Sequence, residues 1–403
     1  MSTQKIIVYL NQQKKQKVGT LAQKDKKIYF EYDKEFLKSG LEISPYKLPL
    51  KSGVFRCDDD TFDGIWGVFA DSLPDGWGKL LLDRHLLRLG KNPRELTPLE
   101  RLAYVGSRAM GALGYEPSEP VVDENLQEIT LDKLFKSSQA ILAGSSEHLI
   151  DELLVLGGSS GGARPKVLLQ LCEETKEIIF AKKSLADGYS HYMVKFPSSQ
   201  DIPQMGAIEY AYSLMAKDAG VEMPSALLLE GKEQKYFAVK RFDRDGEEQL
   251  HMHSVAGLVH SDFRYPTLDY DDLLRLTLHL TKNMQEVKKV FRLACFNLFT
   301  HNRDDHAKNF SYLMSENGVW SFAPAYDLVF SYGVGSEHST MFLGEGRNPT
   351  KEHLLRLAKE HGIKEGNIIV DEVLSVVKKW HEYADIAGIR KKTIVEIQKK
   401  FIL

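Results

Sequence analysis

One stretch of this chain restricts its possible folds more than any other. From Asn283 onward, Val287, Val290, Phe291, Ala294, Cys295, Leu298 and Phe299 recur at helical spacing, so the segment reads as a helix with one buried face. Asn283 followed by Glu286 fits an N-cap with a reciprocal partner. The pattern runs out at His301-Asn302-Arg303, and a polar loop follows, Asp304-Asp305-His306-Ala307-Lys308-Asn309. FSYL and VWSF come next, joined through Asn317-Gly318, a strong hairpin signal. Directly after them stands Ala325-Tyr326-Asp327. A hairpin returns the chain to its starting end, so Asp327 is expected beside Asn309.

That order suits phosphoryl transfer. The chemistry needs a carboxylate to orient the attacking hydroxyl, and oxygen ligands for Mg²⁺ at the phosphates. Protein kinases supply these as Asp-x-x-x-x-Asn after a buried helix, then a second metal-binding Asp. Asp304 and Asn309 have that spacing. Asp, Asn and Gly are also ordinary turn residues, so the helix before and the hairpin plus Asp327 after carry the reading.

Upstream text falls in kinase order. Gly157-Gly158-Ser159-Ser160-Gly161-Gly162-Ala163-Arg164-Pro165-Lys166 lies between apolar LLVL and VLLQ. Small residues let backbone N–H groups approach phosphate oxygens, and Lys166 adds a charge. A flexible loop is the plainer reading, and Gly-Lys-Ser/Thr is missing, so a P-loop NTPase is excluded. HYMVKFP reads as a strand carrying Lys195. Such a lysine either snorkels to solvent or, in a kinase, reaches the α- and β-phosphates. Glu209, in the helix AIEYAYSLMAKDAG, is a possible partner. ALLLE and YFAVKRF read as strands leading to Lys240-Arg241-Phe242, where an interlobe hinge would hold adenine through its backbone.

Length divides the chain. Its 403 residues exceed one hydrophobic core. The expected parts are 1–118, strand-rich and then helical; 129–260, mixed, with one helix; and 265–403, mainly helical. IIVYL and KIYFEY read as strands, WGKLLLDRHLLRLG as a helix, and 116–128 as a polar linker. A composition of 43% hydrophobic and 27% charged residues fits a soluble globular protein. No apolar run is long enough to span a bilayer, and no signal peptide is read at the start. Cys57, Cys172 and Cys295 share no metal-ligand spacing and suit a reducing cytosol. A net charge of −3 gives no general attraction to nucleic acid. The basic clusters at Lys14, Lys15 and Lys17, and at Arg390-Lys391-Lys392 with Lys399-Lys400, read as solvated surface.

Over nearly its whole length the chain resembles the HipA family of serine/threonine kinases. The carriers are Gly-Gly-Ala-Arg-Pro-Lys at 161–166, Val194-Lys195-Phe196-Pro197, Arg241-Phe242-Asp243-Arg244, Asp305-His306-Ala307-Lys308-Asn309-Phe310-Ser311 and Ala325-Tyr326-Asp327. Val68 to Gly78 and Met110-Gly111-Ala112-Leu113 are similar to the family's extra N-terminal domain. The resemblance implies an α+β, bilobed, protein-kinase-like fold with an N-terminal strand-rich subdomain and a helical C-terminal lobe. It implies phosphate contacts at Gly161, Gly162, Ala163, Arg164, Pro165, Lys166 and Lys195, and adenine contacts at Lys240, Arg241 and Phe242. Further ATP contacts are implied at His306, Ala307, Lys308, Asn309, Tyr326 and Asp327. Asp304 is the implied catalytic residue, with Asn309 and Asp327 as Mg²⁺ ligands.

The resemblance further implies a cytoplasmic, growth-inhibiting toxin restrained by a helix-turn-helix, HipB-like antitoxin, with DNA met only through that partner. A protein substrate is implied, notably an aminoacyl-tRNA synthetase. Family members can phosphorylate a serine at the start of the Gly-rich loop and so switch themselves off; Ser159 matches that place, with Ser160 as the alternative. Two departures stand out. Asp305 follows Asp304 where a neutral or small residue is usual, so either carboxylate could serve; the five-residue step to Asn309 favours Asp304. Lys240 stands where some members carry an acidic residue. The competing reading is a catalytically weak kinase fold that acts as corepressor with a DNA-binding partner. The full set Asp304, Asn309 and Asp327 speaks against it.

Overall fold

Ile6, Val8 and Leu10 alternate along the first strand and are buried, the period of a half-buried strand. The computed structural model describes residues 4–119, 129–145, 148–158, 161–180, 184–198, 201–202 and 204–403. Strands β1 (Gln4–Asn11), β2 (Lys15–Lys24), β3 (Lys27–Tyr32), β4 (Val54–Arg56) and β5 (Leu113–Glu116) form an antiparallel sheet in the order β4-β3-β2-β1-β5. Helices α1 (Gly67–Ala70), α2 (Gly76–Arg88) and α3 (Pro98–Val105) complete this part. In α2 the recurring apolar residues Trp77, Leu81, Leu82 and Leu86 are buried in the core of the next part, not against this sheet.

The middle part holds α4 (Leu131–Leu142), α5 (Ile150–Gly157), β6 (Lys166–Leu171), β7 (Ile178–Ile179), β8 (Ser190–Lys195), α6 (Met205–Asp218), β9 (Ala226–Glu230) and β10 (Lys235–Lys240). Its strands form an antiparallel sheet in the order β7-β6-β8-β10-β9. The LLVL run lies in α5, so the Gly-rich stretch joins a helix to a strand. Of the polar stretch 116–128 read as a linker, Glu116 ends β5, and 120–128 lie outside the described residues. The buried face of α6 belongs to the C-terminal core: Tyr212 stacks edge-on to Phe296 and Trp380 and donates to the Thr300 carbonyl at 2.7 Å.

A short ribbon, β11 (Arg244–Asp245) and β12 (Glu248–Gln249), leads to β13 (His251–Ser254). Then follow α7 (Val255–Val259), β14 (Leu268–Asp269), α8 (Tyr270–Thr281), α9 (Met284–Phe299), β15 (Ser311–Met314), β16 (Trp320–Phe322), β17 (Thr340–Met341), α10 (Lys351–Glu360), α11 (Gly366–Val377), α12 (Trp380–Ile386) and α13 (Lys391–Gln398). β13 pairs with β15, and β15 with β16. The chain has therefore joined the C-terminal sheet by His251, ahead of the boundary expected at 260–265. The architecture is α+β and two-lobed, with a helical C-terminal lobe and an added N-terminal sheet. Among the described residues no helix is long and apolar enough to cross a membrane.

Candidate active site

The helix-loop-hairpin unit sets the floor of the site. Val287, Val290, Phe291, Ala294, Cys295, Leu298 and Phe299 are all buried along α9. Asn283 caps it by accepting from the Gln285 N–H at 2.9 Å. Glu286 does not return to Asn283, as the reciprocal cap would require. Its carboxylate instead accepts from the Phe322 N–H at 2.7 Å and pairs with Lys289 at 3.0 Å, which fastens the hairpin to the helix. Gly318 takes φ +76° in the turn, and Tyr312, Leu313 and Met314 pair with Phe322, Ser321 and Trp320.

The adjacent carboxylates Asp304 and Asp305 part company. Asp305 is buried and fully engaged: it accepts from the Tyr270 hydroxyl at 2.9 Å, from His338 Nδ1 at 2.9 Å, and from the Ser339 and Thr340 N–H groups at 2.9 and 3.2 Å. Asn297 donates to the Tyr270 hydroxyl at 2.9 Å, so this network anchors the loop to α9. The Asp304 side chain is 57% exposed, with His306 Nε2 at 4.0 Å. Surrounding protein raises its carboxyl above the ordinary value; His306 pulls it down, while Asp327 pushes it up. Asn309 donates its amide to the Asp304 carbonyl at 2.8 Å, which closes the loop across the five-residue step.

Opposite lies a knot of alternating charge. β6 and β8 place Lys166 and Lys195 directly across from one another. Lys195 is buried, 3.4 Å from Glu209 Oε1 and paired with Asp327. Arg164 bridges Glu209 at 2.9 Å and Asp201 at 3.0 Å. Burial alone would raise the Asp327 carboxyl; Lys195, Lys166 and Arg164 outweigh it and hold the group well below the usual carboxylate range. Burial pushes the Lys166 ammonium down to about 8, and that ammonium donates to the Gly161 carbonyl. Gly162 and Lys308 are both engaged by Asp75. Ala163 and Pro165 lie in the turn that leads into β6. Ser159 and Ser160 lie outside the described residues.

At the end of β10, where the hinge is expected, the Lys240 N–H donates to the Ser225 carbonyl and the Arg241 N–H to the His191 carbonyl, each at 2.8 Å. Those two N–H groups are therefore engaged within the lobe rather than turned toward a nucleotide. The Arg241 side chain grips buried Asp243 at 2.9 and 2.6 Å, and Asp243 also accepts from the Gly111 N–H at 2.7 Å. Phe242 stacks on Tyr326 with ring centroids 5.4 Å apart. The Tyr326 hydroxyl donates to the Lys308 carbonyl at 2.7 Å, just before Asn309. Among the described residues no group of three or more His, Cys, Asp or Glu side chains converges as a metal site. The oxygen donors of Asp327 and Asn309 fit a hard ion such as Mg²⁺, which commonly takes one or two protein ligands and completes its shell with phosphates and water.

Two family models match the chain, the HipA N-terminal domain over residues 6–116 and the HipA-like C-terminal domain over residues 158–380. The chain belongs to the HipA family. It is thus a kinase of a family of serine/threonine-kinase toxins. One relative is a putative kinase of Haemophilus influenzae, 23% identical over 255 residues, which span 60% of this chain and 70% of that protein. Another is the serine/threonine-protein kinase toxin HipA of Shewanella oneidensis, 26% identical over 322 residues, 74% of this chain and 69% of that one. A chain in the structure of the Shewanella oneidensis toxin–antitoxin complex of HipA, HipB and operator DNA shares the fold. Its TM-score is 0.71 at 18% identity, covering 98% of this chain and 95% of that one.

Sequence reasoning missed contributions from the HipA-type N-terminal domain. Asp71 accepts from His253 Nδ1 at 2.7 Å and from the Ser254 N–H and hydroxyl at 2.8 and 2.6 Å. It fixes that domain to the start of α7. Asp75 reaches the Gly-rich loop itself. The motif Val68 to Gly78 was visible in the sequence, but nothing in its spacing said what its carboxylates face.

Proposed function

We propose that the chain transfers the γ-phosphate of ATP to a protein serine. The observation that carries this reading is buried Lys195, held between Glu209 and Asp327, with the Asp304 carboxylate open to solvent on a loop closed by Asn309. A lysine charged by two carboxylates and placed after a Gly-rich loop is a ready partner for phosphate oxygens. Asp304 orients the serine hydroxyl and takes its proton as the bond to phosphorus forms. Lys166, Ala163 and Pro165 border the phosphates, Phe242 and Tyr326 flank the adenine side, and His306 steadies Asp304. Asp327 and Asn309 would hold Mg²⁺, which supplies charge neutralisation at the phosphates.

Kinship with the HipA chains supports the rest of the reading: a growth-inhibiting toxin of the bacterial cytoplasm, restrained by a HipB-like antitoxin that meets DNA. Its substrate is a protein such as an aminoacyl-tRNA synthetase. Phosphorylation of Ser159, or of its neighbour Ser160, would load the phosphate loop with nearly two negative charges and repel ATP. Calorimetry tests the nucleotide claim. Lys195→Ala should weaken Mg²⁺-dependent ATP binding by about tenfold or more, the loss of a charge-assisted contact. An affinity equal to that of the unaltered chain would make Lys195 a structural strand residue.

A further inference from the structure

Asp75 is the N-cap residue of α2, where an aspartate ordinarily satisfies the first N–H groups of its own helix. Here its side chain makes no capping bond. Oδ1 accepts instead from the Gly162 N–H at 2.5 Å, and Oδ2 pairs with the Lys308 ammonium. The first donor belongs to the Gly-rich loop of one lobe and the second to the catalytic loop of the other. Gly162 is also held from behind, because its carbonyl accepts from the Trp77 N–H at 3.1 Å. The approach is close: a Cβ on Gly76, at φ +39°, would stand 2.6 Å from the Ala163 Cα. The Asp75 and Lys308 side chains are only 23% and 17% exposed.

We infer that Asp75 is a positioning residue for the nucleotide phosphates: through it the N-terminal domain pins the Gly-rich loop against the catalytic loop. The inference rests on the kinase reading above and adds a third wall to the site. A glycine-rich loop loses much conformational freedom when it orders over a ligand. A loop already held in place pays little of that on binding, so pre-organisation appears as affinity. The single charge of Asp75 is answered by Lys308, while Lys166 and Lys195 remain on the opposite strands to meet phosphate. The gain from ordering therefore outweighs repulsion between the carboxylate and the nucleotide.

The test compares ATP with adenosine, both with Mg²⁺, by calorimetry on the full chain and on Asp75→Ala, Asp75→Asn and Lys195→Ala. Asp75→Ala should weaken ATP by about tenfold or more and leave adenosine unchanged. Asp75→Asn keeps an oxygen for the Gly162 N–H and loses the charge for Lys308, so it should recover part of the loss. Equal weakening of ATP and adenosine would mark Asp75 as merely structural and overturn the inference. So would unchanged or tighter ATP binding in Asp75→Ala while Lys195→Ala loses it, with the kinase reading left standing. Equal ATP affinity in all four proteins would overturn both.

Discussion

Asp304→Asn is expected to lower phosphoryl transfer by about 10²–10⁴-fold, the range lost with a positioned general base, while the protein stays folded. The side chain reaches solvent, so the substitution opens no cavity. The Asn side chain matches it in size, so the variant should unfold at the same urea midpoint as the unaltered chain. Transfer is read with labelled ATP and a serine substrate. Asp327→Asn should fail as well, for a different reason: its charge holds Lys195 and would face the phosphates.

Asp305→Asn should show the opposite profile. That carboxylate accepts four hydrogen bonds with no access to water. An amide turns N–H groups toward some of those donors and leaves buried polar groups unmatched. Each buried polar group left unsatisfied costs about 1–3 kcal/mol, enough to shift the urea midpoint strongly. Activity per folded molecule should survive better than in Asp304→Asn. If instead Asp305→Asn is stable and inactive while Asp304→Asn works, the catalytic register is one residue out.

The pair shows what the sequence could and could not tell. The five-residue step favours Asp304, but only burial separates the two carboxylates, and neighbouring Asp residues on a loop carry no burial signal. α9 and the hairpin were legible because periodicity and Asn-Gly are local. β2 was not: KQKVGTLAQK is rich in Lys and Gln, and its Gly19 serves a close approach, since a Cβ there would stand 2.6 Å from the Phe30 ring. α5 was hidden because a four-residue apolar run suits a buried helix and a strand alike. β13 was hidden because its inward residues, His251 and His253, are polar by type although both are buried. The Glu286 cap failed because a distant N–H, that of Phe322, claimed the carboxylate. Strand and helix order makes Glu209 a possible partner of Lys195, and the two lie 3.4 Å apart. Asp75 was out of reach, since its partners lie 87 and 233 residues away in the chain.

The central claim is that this site moves the γ-phosphate of ATP to serine through Asp304. The direct measurement incubates the unaltered chain and Asp304→Asn with γ-labelled ATP and Mg²⁺, alone and with a serine-containing protein acceptor, and locates the label by mass spectrometry. The account predicts phosphoserine in the unaltered reactions, with self-labelling at Ser159 or its neighbour Ser160, and about 10²-fold less or lower still with Asp304→Asn. Absence of phosphoserine in every reaction, or equal labelling by the two proteins, would contradict it.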